Sequence, residues 1–210
     1  MKAVIFDLDG TLLDSMDMWQ NMTSDFLTRQ NVEVPQNLDS LINQMTYKES
    51  AELISEKFLP QMTPDEIMAC WDEYVIDMYK TKVQLKPYAK EYLEYLHKKG
   101  TKMCIATLSE RTNIENALKR LGVIDLFDFI ITVTEVGKSK KHPDIFIECA
   151  RRCGAKVSDT VVFEDSLTPI KTAKSAGFTV YAIYDKTAKK HTDEIKSLCD
   201  KYIHSFDELL

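Results

Sequence analysis

The sequence has no uninterrupted apolar run close to the roughly 20 residues that a membrane-spanning helix needs. The first apolar run, which follows Lys2, ends at Asp7 and is too short for a signal peptide. These two absences predict a cytoplasmic protein that has no membrane partner.

The sequence has no excess of positive charge. Lys and Arg together number 27 against 33 Asp and Glu, so the formal net charge is −6. Proteins that bind nucleic acid or an anionic membrane surface usually carry a basic patch, so we expect no nucleic-acid partner. If the substrate is anionic, the positive charge that attracts it must be local to its site.

The spacing of the cysteines does not suit a disulfide framework or a metal site. There are five, an odd number, and no two are separated by only two residues. This spacing argues against both a disulfide framework and a zinc site. Cys149 and Cys153 lie one helical turn apart, and we interpret them as two buried small apolar side chains.

The sequence does contain short apolar runs rich in β-branched residues, at residues 3–6, 103–106, 129–133, 160–163 and 179–183. Near-continuous apolar strands are typical of a parallel sheet that is covered on both faces. From residue 88 onward these runs alternate with helical patterns. For example, Pro143 suits the first turn of a helix that Gly154 would end. The alternation predicts an α/β fold with a Rossmann-like, doubly wound parallel sheet.

A long segment in the first half of the chain breaks this alternation. It has no strand pattern and shows three apolar stripes at helical spacing. Thr63 and Glu66 form a capping box before the last of them. We therefore expect residues 1–14 and 86–210 to form the Rossmann-like core, and residues 15–85 to form an inserted all-helical cap domain.

Polar side chains follow three of the predicted strands, at the edge where open α/β sheets bind ligands. The first strand is followed by Asp7 and Asp9, the second by Thr107, and the fourth by Glu164 and Asp165. Two carboxylates at alternate positions of an extended chain project to the same side and repel each other. A positive group is therefore expected between them.

In this order, the residues resemble the motifs of the haloacid dehalogenase-like hydrolase superfamily, in the subgroup whose helical cap is inserted after the first motif. The first motif is matched by the Asp-x-Asp-Gly-Thr stretch Asp7–Thr11, the second by Thr107, the third by Lys140 and the fourth by Glu164 with Asp165. The resemblance covers the whole chain.

The third motif departs from the family's common form, Lys-Pro-x-Pro-Asp. Residues 140–144 are Lys-Lys-His-Pro-Asp. Counting back from Pro143 selects Lys140 as the motif lysine. Lys141 stays as the alternative, because a lysine cluster is often only solvated surface.

The resemblance implies a phosphatase that acts on a small phosphorylated metabolite and uses Mg²⁺. Asp7 would attack phosphorus and form an aspartyl phosphate, and Asp9 would protonate the leaving oxygen and then activate water. The metal ligands would be Asp7, the backbone carbonyl of Asp9, Asp165, and Glu164 either directly or through a water. Each pair of like charges about 4 Å apart costs roughly 4 kcal/mol at an effective dielectric near 20, which a divalent cation can offset.

The phosphoryl group would be held by three further groups that the same resemblance implies. These are the Thr107 hydroxyl, the backbone amide of Leu108 and the ammonium of Lys140.

Two other functions share parts of this pattern. A receiver-type phospho-accepting module also combines acidic residues with Mg²⁺, but its acceptor follows a middle strand and it lacks a helical insert. A sugar-phosphate mutase of the β-phosphoglucomutase type shares the motifs and the cap type. Those mutases carry a lysine where this chain has Glu110 and a cap-loop arginine near Tyr47, although Arg111 and Lys48 are adjacent and could substitute. The sequence therefore favours a phosphatase, as a monomer or a homodimer.

Overall fold

The computed structural model describes residues 1–42 and 45–210 of the chain. The chain divides into two compact units, one formed by Met1–Met16 with Val83–Leu210 and the other by Asp17–Lys82. The borders expected from the sequence, after residues 14 and 85, lie within three residues of these.

The described strands are β1 (Ala3–Phe6), β2 (Leu13–Asp14), β3 (Gln84–Leu85), β4 (Lys102–Thr107), β5 (Phe129–Thr132), β6 (Thr160–Glu164), β7 (Thr179–Ile183) and β8 (Lys201–Ile203). The six-stranded sheet has the order β5-β4-β1-β6-β7-β8, and all its neighbours are parallel. β2 and β3 form a separate antiparallel pair. The predicted α/β fold with a doubly wound parallel sheet is confirmed.

The α-helices are α1 (Met16–Arg29), α2 (Leu38–Ile42), α3 (Tyr47–Lys57), α4 (Pro64–Thr81), α5 (Ala89–Lys98), α6 (Arg111–Arg120), α7 (Val133–Val136), α8 (Asp144–Arg152), α9 (Leu167–Ser175) and α10 (Thr192–Leu198). Short 3₁₀ helices cover Ile124–Leu126, Val157–Asp159, Lys186–His191 and Phe206–Leu209. None of the described helices is both long and apolar enough to span a bilayer.

The core of the first unit lies on both faces of its sheet. All four residues of β1 are 0% exposed, as expected for a central strand covered on both sides. Ile5 and Val162 from neighbouring strands share one apolar cluster with Phe146 of α8 and Ile170 of α9. This packing fixes the helices against the strands whose ends carry the polar residues.

The secondary-structure elements described in the second unit, Asp17–Lys82, are all helices. α4 begins with the predicted capping box, in which the Thr63 hydroxyl accepts the Glu66 N–H and the Glu66 carboxylate accepts the Thr63 N–H. A second capping box, of Thr46 and Glu49, begins α3, which packs against α4. The Trp71 ring contacts other aromatic rings in the core of this unit.

Candidate active site

The direction of chain winding reverses at β1. From β1 the chain passes to β4 and β5 on one side of the sheet, and later to β6, β7 and β8 on the other. Phe6, the last residue of β1, pairs with Ile105 of β4 and with Phe163 of β6. Because the three strands are parallel and in register, their carboxyl ends meet at one edge, which is where ligands of such sheets bind.

Three carboxylates meet at this edge. Asp7, Glu164 and Asp165 each offer a ligand oxygen within 4.8 Å of the others. Their exposed fractions are 5%, 1% and 5%, so water screens them little. Like charges this close in the interior destabilise the ionised state of the whole group.

One ammonium group lies among these carboxylates. Lys140 is 2% exposed, and its Nζ donates to Asp7 Oδ1 and, at 2.7 Å, to Glu164 Oε1. It reaches them from the loop between α7 and α8. Lys141, the alternative left open by the sequence, has an exposed side chain. The lysine in contact with the carboxylates is therefore Lys140.

The pKa values reflect an excess of negative charge. Burial and the charge of Glu164 raise the pKa of Asp7 to about 7, although Lys140 opposes this shift. Burial, with the charges of Glu164 and Asp7, also raises the pKa of Asp165 well above its ordinary value. Burial opposes the ionised form of Lys140, but the charges of Asp7 and Glu164 outweigh it and raise the pKa of the ammonium. A single lysine thus leaves the cluster short of positive charge.

The donor set of the cluster fits a hard divalent cation. Asp7, Glu164 and Asp165 supply oxygen ligands only, which Mg²⁺ and Ca²⁺ prefer over nitrogen or sulfur. A dication would also offset the excess negative charge that, after burial, raises the pKa values of Asp7 and Asp165. Among the residues that the structure describes, these three carboxylates are the ones whose oxygens lie close enough together to share a metal ion.

Asp165 is held in place by the turn that follows β1. The Thr11 hydroxyl donates to Asp165 Oδ1 at 3.0 Å. Gly10 has a φ of +83°, and a Cβ at this position would lie 2.6 Å from Asp165 Oδ2. Only glycine therefore fits between the turn and the carboxylate. This explains the glycine of the Asp-x-Asp-Gly-Thr stretch in physical terms.

Asp9 is half-buried and held by two hydroxyl groups. Ser15 Oγ donates to Asp9 Oδ1 at 2.6 Å, and Ser109 Oγ donates to Asp9 Oδ2 at 2.5 Å. Thr107 is buried at the end of β4, where its hydroxyl oxygen accepts the Ser109 N–H at 3.0 Å. The Leu108 side chain is 59% exposed. The loop after β4 is thus linked to Asp9 through Ser109.

The sequence reasoning missed a buried ion pair at the same edge. Lys86 Nζ donates to Asp185 Oδ2 at 3.0 Å and to the Tyr184 carbonyl at 2.7 Å. Lys86 partly opposes the rise in the pKa of Asp165, and Asp185 adds to that rise, so both charges of this pair act on the carboxylate. A signal was present, because Asp185 follows the predicted strand 179–183 just as the other acidic residues follow theirs.

Arg111 has partners within its own unit. Its Nε donates to Glu135 Oε1 at 2.8 Å, and its Nη2 donates to the Ile130 carbonyl at 2.8 Å. Glu135 in turn caps α7 by accepting the Thr132 N–H. The guanidinium is therefore anchored to β5 and the start of α7.

Comparison with known proteins identifies relatives of varied length. The chain is 30% identical over 189 residues to the chloroplastic protein SUPPRESSOR OF QUENCHING 1 of Arabidopsis thaliana, covering 87% of this chain and 18% of that protein. It is 27% identical over 175 residues to a fructose-1-phosphate phosphatase of Escherichia coli, covering 83% of this chain and 92% of that protein. The chain therefore spans less than a fifth of the first relative but nearly all of the second.

A solved structure shows the same fold. A candidate β-phosphoglucomutase of Thermotoga maritima matches with a TM-score of 0.85 at 23% identity, covering 100% of this chain and 97% of that one. A sequence identity of 23% supports a shared fold but not a shared function. The family model for haloacid dehalogenase-like hydrolases matches residues 4–183, a span that includes every motif described above. The chain belongs to the haloacid dehalogenase-like hydrolase family.

Proposed function

We propose that this chain is a phosphatase, a phosphoric monoester hydrolase that acts on a small phosphorylated metabolite and uses Mg²⁺. The observation that carries the proposal is the buried carboxylate of Asp7 in contact with Lys140, with Glu164 and Asp165 within 4.8 Å. This arrangement combines a nucleophile with the charges that an anionic substrate and a cation require. Family membership and the E. coli relative's name support the same reaction class.

The nucleophile in this proposal is Asp7. One of its oxygens attacks phosphorus, the bond from phosphorus to the leaving oxygen breaks, and an aspartyl phosphate forms. Lys140 donates hydrogen bonds to Asp7 and Glu164, so its role is to orient Asp7 and to balance charge on the transferring phosphoryl group. The Thr107 hydroxyl and the Leu108 amide hold the remaining phosphoryl oxygens.

Asp9 acts as the general acid and base. It gives a proton to the leaving oxygen and later takes one from the water that hydrolyses the aspartyl phosphate. The hydroxyls of Ser15 and Ser109 orient its two carboxylate oxygens, so each must release its hydrogen bond or share it when Asp9 meets the substrate. Ser109 links this step to the phosphate-holding loop, because its N–H also binds Thr107.

The cation in this proposal is Mg²⁺. It would be held by Asp7, Glu164 and Asp165, with the backbone carbonyl of Asp9 as a further ligand, and it would supply positive charge to the phosphoryl group. One carboxylate oxygen of Glu164 already accepts a hydrogen bond from the Lys140 ammonium. The other oxygen accepts one from the Asp165 N–H at 3.1 Å. A water between Glu164 and the ion would keep both of these bonds.

A sugar-phosphate mutase is the second candidate, and the charges around the second motif favour the phosphatase. A mutase must hold a second phosphate, which requires another cationic site. Glu110 stands where mutases of the β-phosphoglucomutase type carry a lysine, and the neighbouring Arg111 is bound to Glu135 and the Ile130 carbonyl. Freeing Arg111 for a phosphate would break a charge-assisted pair and uncap a backbone carbonyl.

The first prediction tests the nucleophile. Asp7→Asn removes the attacking carboxylate while keeping the shape of the side chain, so turnover of phosphate monoesters falls by at least about 10³-fold. Asp14→Asn, an exposed carboxylate on β2, is the matched control and keeps turnover within about twofold of the parent. Phosphate release measures both variants, and circular dichroism checks the fold. An Asp7→Asn variant within tenfold of the parent would refute the role of Asp7.

The second prediction tests the close approach of Gly10 to Asp165. Gly10 and Gly100 both have positive φ, but a Cβ at Gly100 meets no atom within 4 Å. Ala at either position adds backbone strain of about 1 kcal/mol, seen as lower stability to urea. Gly10→Ala also displaces the Asp165 carboxylate, so its turnover falls at least tenfold, whereas Gly100→Ala keeps parental turnover. Equal turnover in the two variants would contradict this account of Asp165.

The third prediction separates phosphatase from mutase. Glucose 1-phosphate is supplied with a catalytic amount of glucose 1,6-bisphosphate, and both inorganic phosphate and glucose 6-phosphate are followed. Water reaches the aspartyl phosphate of a phosphatase, so phosphate release outruns isomerisation. Glu110→Lys shows whether a lysine at position 110 raises the isomerisation share. Glu91→Lys, at an exposed position of α5, is the charge control. Isomerisation that outruns phosphate release in the parent would overturn the phosphatase proposal.

A further inference from the structure

Three cysteine side chains meet in the core of the first unit, away from the carboxylate cluster. Cys104 lies on β4, and Cys153 directly follows the last residue of α8. Their sulfur atoms are 3.9 Å apart. Cys104 also hydrogen-bonds with Cys149, one helical turn before Cys153. Cys149 is fully buried as the sequence predicted, whereas Cys153 is only half-buried, which corrects the expectation for that residue.

We propose that Cys153 and Cys104 are an oxidation site, at which hydrogen peroxide closes a reversible disulfide between β4 and the end of α8. A disulfide requires a sulfur separation of about 2 Å, so the two sulfurs must approach by roughly 2 Å. Cys153 is the C-cap residue of α8, and its N–H still donates to the Cys149 carbonyl at 3.0 Å. Because helix ends fray, the backbone there can shift more easily than inside the sheet.

The two thiols differ in exposure and in pKa, as a pair that reacts with peroxide requires. Peroxide reaches the half-buried Cys153 first. A hydrogen bond with Cys104 lowers the pKa of Cys153, although partial burial and the charge of Asp128 oppose this shift, so Cys153 supplies the thiolate. Cys104 is buried, and burial raises its pKa, so it remains a thiol until its neighbour has been oxidised.

The chemistry balances in two steps. The Cys153 thiolate attacks one peroxide oxygen, the O–O bond breaks, and a sulfenic acid forms while hydroxide takes up a proton and leaves as water. The Cys104 sulfur then attacks the sulfenic sulfur, the S–S bond forms, and the hydroxyl leaves with the Cys104 proton as a second water. Two electrons pass from the two sulfurs to one peroxide molecule.

Cys149 is the competing thiol, and its burial together with the contact between the Cys104 and Cys153 sulfurs argues against it. It is 0% exposed, so peroxide cannot reach it before Cys153. Cys104 and Cys149 are both enclosed, and neither can begin the reaction. The 3.9 Å contact to the half-buried sulfur therefore selects the pair Cys104 and Cys153.

The test treats the full chain with a stoichiometric amount of hydrogen peroxide, followed by thiol counting and by peptide mapping without reduction. The native protein has five thiols, and the count falls to three while a peptide cross-linked through Cys104 and Cys153 appears. Dithiothreitol restores all five. Because the readout is covalent structure and not turnover, its outcome does not depend on the proposed phosphatase activity.

Two variants complete the experiment. Cys153→Ser leaves four thiols, and all four persist under the same peroxide dose. Cys199→Ser, a half-buried cysteine outside the cluster, still loses two thiols to the cross-link. A cross-link through Cys149, over-oxidation of Cys153 without a cross-link, or an unchanged thiol count in the parent would each overturn the proposal.

Discussion

Three carboxylates share one ammonium in the interior of this protein, and this imbalance of charge governs the site. Lys140 contacts Asp7 and Glu164, while Asp165 lies within 4.8 Å of both carboxylates. Burial, and after it the charge of Glu164, raises the pKa of Asp7 to about 7, so without another cation the group binds protons more readily. A divalent cation would offset the repulsion without protons and would leave Asp7 ionised, as the proposed nucleophile must be.

The fold supplies the crowding that this chemistry needs. β1 lies between β4 and β6, so the residues after three buried strands reach one edge of the sheet. The turn after β1 then passes so close to Asp165 that only Gly10 fits. Buried strands hold these charges together against their repulsion, because moving any one of them apart would unpack apolar residues that are fully enclosed. The apolar core therefore supports an arrangement that the charges alone would not adopt.

Much of this architecture could be predicted from the sequence, because local patterns determine it. The strands at 3–6 and 179–183 have the predicted bounds, since uninterrupted apolar runs identify covered strands. β8 was missed because Lys201–Ile203 is too short for a pattern and depends on pairing with β7. The Lys86–Asp185 pair and the Ser109 bond to Asp9 join residues 99 and 100 positions apart, and such contacts leave little trace in a single sequence.

The central claim, that a divalent cation completes the carboxylate cluster, is tested most directly by unfolding the protein at increasing Mg²⁺ concentration. A cation that binds only the folded chain stabilises it by about 2.7 kcal/mol at 100 times its dissociation constant. The account predicts that Mg²⁺ raises the unfolding temperature of the parent, and that Asp165→Asn, which removes one ligand charge but keeps the side-chain shape, loses most of this rise. An unfolding temperature that Mg²⁺ leaves unchanged in the parent, or raises equally in Asp165→Asn, would contradict it.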